Sequence, residues 1–369
     1  MVPIAKPELG PAEEAAVLEV MRSGLLAQGA RVKAFEQEFA KIMGAEFGVA
    51  TCNGTVALFL ALKAHGIGPG DEVITTPLTF IATANAITHT GAKPVFADVD
   101  DSLNLSVDAA AELIGPRTRA IVPVHLHGNP CDMSALIRLA EGHGLALIQD
   151  ACQAVGATID DRPLGAFGTA VYSLYATKNI TTGEGGMVIT NDAEVAQTCA
   201  SLRHQAYSGQ QPYVHDAAGY NFRMTEMEAA IGLVQLRKLA QITARRRGIA
   251  SFYDRAVGNH FTRPRVTPGH MHVYHQYTLR VPAGSPWTRD EVRADLERGG
   301  VATGVYYPLP IHQQPPYLSL HNPPCREAER AAADMFSVPV HPGLSRNECE
   351  VVAAQLRRIA DSGAMERAV

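Results

Sequence analysis

The stretch Tyr172-Ser-Leu-Tyr-Ala-Thr-Lys178-Asn-Ile-Thr-Thr-Gly-Glu-Gly-Gly-Met187 joins two runs of β-forming residues, 170–175 and 187–190. The connecting loop is too short for a helical crossover, so the two runs are predicted to be antiparallel neighbours in a sheet. Lys178 is an unusual residue between two buried strands unless its amine has a chemical task. Schiff-base formation with a carbonyl cofactor is one such task, and a surface lysine in a turn is the alternative.

Upstream of this stretch, short apolar runs alternate with helical patterns. The runs are 48–52, 72–76, 94–98, 120–126 and 145–150. The helical patterns between most of them are 54–65, 80–90, 107–114 and 133–143. Strands that alternate with helices predict a mostly parallel sheet covered on both faces. Together with the runs around Lys178, the pattern predicts a mixed, mostly parallel, seven-stranded α/β sheet.

The rest of the chain predicts a large domain and a smaller one. Residues 1–245 are expected to form the large α/β domain, although residues 1–25 are free to pack elsewhere, and residues 246–369 a small α+β domain. Predicted helices outside the alternating region are 11–23, 31–44, 225–257, 288–299 and 346–360, with a β run at 277–281. Within the long helix, the arginine run 245–247 is interpreted as a solvated face.

The composition is that of a globular protein, with 46% hydrophobic and 19% charged residues. A net charge of -5 and a pI near 6.3 argue against a surface for nucleic acid or membrane. No run approaches the length of a membrane span, and the N-terminus lacks a signal-peptide pattern. The six cysteines are scattered, as expected for reduced thiols, which predicts a cytoplasmic protein.

Candidate ligand-binding residues follow the predicted strands, where open α/β sheets bind their ligands. Gly54 and Thr55 open a helix whose free backbone N–H groups suit a phosphate, although a plain helix cap is the simpler explanation. Phe80 either packs in the core or stacks on a flat aromatic ligand.

Later strands supply further candidates. Asp150 closes a strongly apolar run, where a carboxylate is costly unless it pairs with a protonated pyridine nitrogen or caps the next helix. Gln153 is placed to donate to a ring hydroxyl, and Ser173 to bind phosphate. Before the long helix, Asn221 is either a cap or a ligand contact, and Arg223 either pairs with a carboxylate or stabilises structure.

An ordered set of motifs along nearly the whole chain closely resembles the DegT/DnrJ/EryC1/StrS sugar aminotransferases, which are fold-type I pyridoxal 5'-phosphate (PLP) enzymes. The motifs are Asn53-Gly-Thr55, Pro77-Leu-Thr-Phe80-Ile-Ala-Thr83, Val124-His-Leu-His-Gly128, Asp150-Ala-Cys-Gln153-Ala, Ser173…Lys178…Gly183-Glu-Gly-Gly186, Gly219-Tyr-Asn-Phe-Arg-Met224, Tyr274-His-Gln-Tyr277 and Tyr306-Tyr-Pro308…His312. Each motif alone is weak, and the ordered set is specific.

The resemblance implies a role for each candidate. Lys178 would form the Schiff base with PLP and shuttle the proton, and Asp150 would pair with the pyridine nitrogen. Gln153 would contact the ring oxygen and Phe80 would stack on the ring. Phosphate contacts would come from Gly54, Thr55, Ser173 and, in the neighbouring subunit, Asn221, which implies a homodimer with shared active sites. Candidate substrate contacts are Arg223, Tyr306, Tyr307 and His312. The chain departs from the family pattern at Gln149, where Glu is frequent, and at Cys152, where Ala is usual.

The function expected from this reading is ping-pong transfer of an amino group from an amino acid, typically glutamate in the family, to a nucleotide-linked keto sugar. Aminotransfer to a cyclitol ketone and a non-catalytic, PLP-binding regulatory protein are the alternatives. Deoxygenating branches of the family replace the lysine with histidine, so Lys178 argues against them. A nicotinamide dehydrogenase lacks its glycine fingerprint here. The motif His125-Leu-His127 resembles a metal site, but no cysteine or carboxylate has ligand spacing, so no metal is predicted.

Overall fold

The computed structural model describes residues 1–208, 213–257, 260–320 and 322–366. The helices are α1 (Pro11–Ser23), α2 (Ala30–Ile42), α3 (Gly54–Ala64), α4 (Ala82–His89), α5 (Val107–Glu112), α6 (Met133–His143), α7 (Ala193–Arg203), α8 (Glu226–Val257), α9 (Arg289–Arg298), α10 (Arg326–Asp334) and α11 (Arg346–Glu366). The strands are β1 (Phe47–Thr51), β2 (Glu72–Thr75), β3 (Lys93–Phe96), β4 (Thr118–Val122), β5 (Ala146–Asp150), β6 (Thr158–Ile159), β7 (Arg162–Pro163), β8 (Thr169–Ser173), β9 (Gly186–Thr190), β10 (His270–Met271), β11 (Tyr277–Arg280) and β12 (Met335–Val338).

The central sheet has seven strands in the order β1-β9-β8-β5-β4-β2-β3. The pairs from β8 across to β3 are parallel, whereas β9 runs antiparallel to both β8 and β1. The predicted mixed, mostly parallel α/β sheet is confirmed, including the antiparallel pair that flanks the Lys178 loop. The parallel strands consequently bring their carboxyl ends to one edge of the sheet, where the candidate residues meet.

Both faces of the sheet are covered, and β8 shows how the sequence achieves this. Ala170 and Tyr172 point into a cluster with Phe39 of α2, while Val171 points into a second cluster with Leu58 of α3. Because successive side chains of a strand face opposite ways, a strand buried on both faces is apolar throughout. All five residues of β8 are buried accordingly.

Helix α8 connects the sheet to the C-terminal part of the chain. Its first half contributes Leu236 and Ile242 to the cluster beneath the sheet. Its second half contributes Ile249 and Tyr253 to a separate cluster with β11, β12, α9 and α11. The predicted domain boundary at 245/246 falls inside this continuous helix and stays a prediction. Val2 pairs with Val301, so the N-terminus packs on that same separate cluster.

The interpretation of the arginine run 245–247 as a solvated face is wrong for its middle residue. Arg245 and Arg247 are exposed, whereas Arg246 is 5% exposed. The reason is helical periodicity. Arg246 lies four residues after the buried Ile242 and four before the buried Ala250, which places all three on the inner face of α8.

Other differences concern short elements. Helix α4 begins at Ala82 rather than at the predicted Phe80. The loop before it is held by other bonds, among them the one from Ile311 N to Pro77 O, of 2.8 Å. The strands and α-helices absent from the prediction are the hairpin β6–β7, β10, β12, α7 and α10. Strands β6, β7 and β10 have two residues each, too few to show a periodicity, and α7 depends on its Asp192 cap more than on an apolar stripe.

Among the described helices, none combines the length and the apolar character needed to cross a membrane. All six cysteines are free thiols.

Candidate active site

Lys178 lies in the loop between β8 and β9, at the carboxyl edge of the sheet. The loop is held by hydrogen bonds from Lys178 N to Tyr175 O (2.9 Å) and from Thr182 N to Leu174 O (2.9 Å). The side chain is half-buried, and within the described residues its Nζ makes no hydrogen bond or ion pair. Burial lowers the pKa of Lys178, while the neighbouring Cys152 and Asp150 act in the opposite direction. An amine with a lowered pKa and no protein partner is suited to act as nucleophile and base.

Asp150 ends β5 and is 6% exposed. Its Oδ2 accepts a hydrogen bond from Thr83 Oγ1 at 2.7 Å, and its Oδ1 accepts one from Cys152 N at 3.1 Å. No ion pair to a cation is found for this carboxylate in the part of the chain that the structure describes. Each carboxylate oxygen keeps unused acceptor capacity, so the arrangement fits a buried, positively charged N–H group as a further partner.

The start of α3 packs directly on Ser173. A Cβ atom at Gly54 would lie 2.8 Å from Ser173 Cβ and 3.1 Å from Cys152 Sγ, so only glycine fits without displacing them. Asn53 caps the helix by accepting from Val56 N at 3.0 Å. The N–H groups of Gly54 and Thr55 have no acceptor among the described residues. Free N–H groups at a helix N-terminus form an anion site, which fits a phosphate.

Gln153 lies between the sheet edge and the C-terminal part of the chain. Its Oε1 accepts from His127 N at 2.8 Å, which leaves Nε2 to donate toward Tyr307 Oη at 3.4 Å. The amide orientation is therefore fixed by its backbone partner, with the N–H group facing the site. The Tyr307 ring lies 5.9 Å from that of Phe80, which is 55% exposed and thus has a free face.

His127 links this site to the small sheet of β11 and β12. Its backbone is left-handed, with φ of 58°. Nε2 donates to Tyr306 O at 3.1 Å, and Nδ1 accepts from Thr278 Oγ1 at 3.1 Å. Burial lowers the pKa of His127 to about 4, so the ring is neutral. His127 thus positions Gln153 through its backbone and the Tyr306–Tyr307 segment through its ring.

The remaining candidates lie further out. Asn221 is exposed, and its segment bridges to His204. Arg223 Nη1 donates to His204 Nδ1 at 2.7 Å. His312 donates from Nε2 to Glu329 on α10 at 3.0 Å. Within one chain, the structure brings together Gly54, Phe80, Asp150, Gln153, Ser173, Lys178 and Tyr307, with Thr55 and Tyr306 adjoining. Arg223 and His312 have other partners, and Asn221 lies outside this group with its side chain exposed.

His125 and His127, the two histidines that resembled metal ligands in the sequence, both have hydrogen-bond partners in the protein. His125 Nδ1 accepts from Cys131 N at 3.0 Å, so Nε2 donates to Gln149 Oε1 at 3.2 Å. Burial lowers the pKa of His125 to about 4. The ring is a neutral core histidine. The other end of the Gln149 amide, Nε2, donates to Leu164 O at 3.1 Å.

Two residues in the site received no role from the sequence. Thr83 binds Asp150 across 67 residues of chain, and His127 binds Gln153 across 26. Thr83 stood in a motif of the family, but a hydroxyl three residues after Phe80 gives no sign of its distant partner. The left-handed backbone of His127 is likewise invisible in the sequence.

The mostly parallel sheet carries a partner-free lysine after β8 and a buried carboxylate at the end of β5, with the N-terminus of α3 nearby. This combination is typical of the aminotransferases with this fold. The model of the DegT/DnrJ/EryC1/StrS aminotransferase family matches residues 7–357. The chain belongs to this family. The expected enzyme class, a transaminase, is confirmed, and the family implies PLP as cofactor.

Several relatives are similar over most of their length. The pleiotropic regulatory protein of Geobacillus stearothermophilus is 42% identical over 92% of this chain and 91% of its own. The GDP-perosamine synthase of Caulobacter vibrioides is 40% identical over 97% and 98%. The crystal structure of the aminotransferase TlmJ from Streptoalloteichus hindustanus superposes with a TM-score of 0.92 at 36% identity, covering 98% of this chain and 99% of that one.

Proposed function

We propose that this protein transfers an amino group from an amino acid, with glutamate as the donor, to the ketone of a nucleotide-linked sugar. PLP is the cofactor and Lys178 is the residue that carries it and moves the proton. The observation that carries the proposal is the partner-free Lys178 Nζ beside Asp150, at the edge where α3 presents free N–H groups. The six free cysteines support action in the cytoplasm.

The phosphate end of the cofactor fits the start of α3. Gly54 N and Thr55 N belong to the first turn of α3, which packs on Ser173, and the hydroxyls of Thr55 and Ser173 would add to the phosphate contacts. Helix α3 has 11 residues, enough for its dipole to favour an anion at this end. The close contact of Gly54 with Ser173 keeps the two ligand groups together, because a larger residue would separate them.

The pyridine ring of PLP fits beside the buried carboxylate of Asp150. When bound, the cofactor supplies an aldehyde that carries the amino group and a ring that accepts electrons. Asp150 would hold the ring nitrogen through the acceptor capacity that its hydrogen bonds from Thr83 and Cys152 leave free. Gln153 Nε2 would donate to the ring oxygen, and the exposed Phe80 would stack on the ring.

Lys178 acts as both base and acid. In the first half-reaction its Nζ would take the proton from the donor Cα and pass it to the cofactor carbon that receives the amino group, while water supplies the keto oxygen of the 2-oxo acid that leaves. In the second half-reaction the same Nζ would move a proton from that cofactor carbon to the sugar carbon that receives the amino group. One residue serves both steps because the half-reactions run in opposite senses. The pKa of Lys178, lowered by burial, suits this alternation.

The keto sugar enters past Tyr306 and Tyr307, with His312 and Arg223 as further contacts. The GDP-perosamine synthase relative, whose name specifies a GDP-linked sugar, supports a nucleotide-linked substrate. Arg223 supplies a cationic donor suited to a phosphate. Its present partner, His204, is exposed, so the guanidinium can change partners at low cost.

A homodimer completes the site. Asn221 is exposed and has no side-chain hydrogen bond among the described residues, although Phe222 O next to it accepts from Cys52 N at 2.9 Å. The segment is therefore anchored near the start of α3 while the Asn221 side chain faces outward. Such a side chain is available to the phosphate bound by a second subunit.

The experiment that tests this proposal combines purified protein, PLP, glutamate and a panel of nucleotide-linked keto sugars, with the amino sugar detected by mass spectrometry. We expect one or more sugars to be aminated, and Lys178→Ala to abolish the product. The absence of product with every sugar, together with no conversion of bound PLP by any amino acid, would refute the proposal.

A regulatory protein is the second candidate, because a relative of 42% identity bears the name of a pleiotropic regulatory protein. The two candidates differ in the first half-reaction. A non-catalytic protein binds PLP but releases no 2-oxo acid from glutamate, whereas the enzyme releases one equivalent per site.

A further inference from the structure

A cleft with a volume of about 360 Å³ shares His127 with the candidate active site. Clefts of this size hold small organic molecules. None of the residues proposed to contact PLP or the keto sugar belongs to its lining. The charged and aromatic lining residues are His127, Asp254, Arg263, His272, Tyr274 and Tyr277.

The two charged residues of the lining form one ion pair with unused capacity. Arg263 Nη1 donates to Asp254 Oδ1 at 3.1 Å, and Tyr277 Oη donates to the same oxygen at 2.9 Å. Within the described residues, Asp254 Oδ2 and the Nε and Nη2 groups of Arg263 have no partner, and the two side chains are 37% and 34% exposed. Asn129, also in the lining, is 1% exposed and has a buried Oδ1 without a partner. The lining therefore keeps unused acceptors and donors.

The other titratable groups of the lining are neutral. Burial lowers the pKa of His272 to about 3 and that of His127 to about 4. Burial also raises the pKa of the Tyr274 and Tyr277 hydroxyls. The net charge of the lining is consequently zero, with one charge of each sign side by side. A zwitterion is the charged ligand whose two groups complement such a pair.

The rest of the lining suits an apolar or aromatic group. Leu126, Pro264 and Val266 supply apolar surface. The His272 ring stacks on the Tyr274 ring, with centroids 3.9 Å apart and an angle of 4° between the planes. These two rings together present a large, rigid aromatic surface on which an apolar side chain can pack.

We propose that this cleft is a second small-molecule site, which binds a free α-amino acid with an apolar or aromatic side chain. The ammonium group donates to Asp254 Oδ2, and the carboxylate accepts from the free N–H groups of Arg263. The ion pair of the protein and the zwitterion of the ligand then lie antiparallel. No bond of the ligand is made or broken, so the site is independent of amino-group transfer.

Calorimetry with L-phenylalanine and L-leucine tests the site. The protein is first incubated with PLP and reduced with borohydride, so that no amino acid can react at Lys178. A protein that held no PLP would pass through this step unchanged, so the result does not depend on the proposed function. We expect saturable binding of at least one of the two amino acids.

Ligands with a single charge test the zwitterion. Phenethylamine lacks the carboxylate of phenylalanine, and hydrocinnamate lacks its ammonium group. Each should bind at least about tenfold more weakly than L-phenylalanine, because each loses charge-assisted hydrogen bonds to one partner of the ion pair.

Variants locate the binding in the cleft. Asp254→Asn keeps an acceptor for Tyr277 and removes the charge, and it should weaken amino-acid binding at least about tenfold. Arg263→Gln should do the same. Arg265→Gln is the matched control, because Arg265 forms an ion pair with Asp101 at 2.8 Å but is not a lining residue. Urea unfolding shows that each variant is folded.

The absence of saturable binding for both amino acids at millimolar concentrations would overturn the inference. Equal affinity for the single-charge ligands would overturn the zwitterion site. Wild-type affinity in folded Asp254→Asn or Arg263→Gln would show that the amino acid binds elsewhere, and either variant alone decides this point.

Discussion

Thr83 Oγ1 donates a 2.7 Å hydrogen bond to Asp150 Oδ2, which joins the first turn of α4 to the end of β5. Both side chains are buried. Since Phe80 lies just before α4, the same short segment positions the ring-stacking candidate and orients the carboxylate. Thr79 Oγ1, at 3.5 Å from Thr83 Oγ1, extends the hydrogen-bonded chain away from the site.

Thr83→Val should weaken PLP binding about tenfold or more, because a hydrogen bond to a charged acceptor contributes roughly 1.5–3 kcal/mol. Thr83→Ser should restore it. The dissociation constant of PLP, measured by equilibrium dialysis, checks the change. Thr79→Val is the control, since its hydroxyl does not reach Asp150. Equal PLP affinity in Thr83→Val and the wild type would show that the hydrogen bond has no part in holding the cofactor.

Gly54→Ala should also lower the affinity for PLP. The new Cβ would lie 2.8 Å from Ser173 Cβ, and relief of that contact moves the start of α3 away from Ser173 at a cost of about 1–3 kcal/mol. Gly142→Ala, in α6 with no heavy atom within 4 Å of the new Cβ, should leave PLP binding unchanged and stabilise the helix. Similar PLP affinities for the two variants would contradict the proposed phosphate site.

Subunit complementation tests the shared site. If Asn221 reaches the neighbouring subunit, a hybrid dimer of Lys178→Ala and Asn221→Ala chains contains one intact site and one doubly altered site. Coexpression of the two inactive variants should then recover about a quarter of wild-type activity for random pairing. Activity no higher than that of the separate variants would place Asn221 in its own subunit.

His127 should make stability depend on pH. Its folded pKa of about 4 lies below the ordinary value of 6.5, so its contribution is fully present above 6.5 and is lost as the pH falls toward 4. His127→Asn removes this titration and tolerates the left-handed backbone. Urea unfolding between about pH 7 and about pH 5 should show a steeper loss for the wild type, by up to about 1.4 kcal/mol per pH unit. Parallel pH profiles would contradict the neutral, buried ring.

The sequence predicts the sheet well because most of its strands are continuous apolar runs between turn residues, and β8 is the clearest case. Asp150 and Lys178 could be recognised as candidates since each residue type conflicts with its apolar or tight surroundings. Such a conflict between a residue and its immediate neighbours in the chain can be recognised from the sequence alone.

Contacts between distant segments could not be predicted in the same way. Thr83 and Asp150 meet because α4 packs beside β5, and nothing near Thr83 in the sequence indicates this. For Arg246, the prediction from the sequence was wrong because it relied on neighbouring residues alone. Its two arginine neighbours suggested a solvated run, whereas the helical period of α8 buries the middle side chain. A run of like charges hides a buried member unless each residue is placed on the helix separately.

The most direct test of the central claim is reduction of the PLP-loaded protein with borohydride, followed by peptide mapping. We expect a single pyridoxyl group, attached to the peptide that contains Lys178. Lys178→Arg should carry none, although it keeps the positive charge. A pyridoxyl group on another lysine, or none in a protein that holds PLP, would contradict the account.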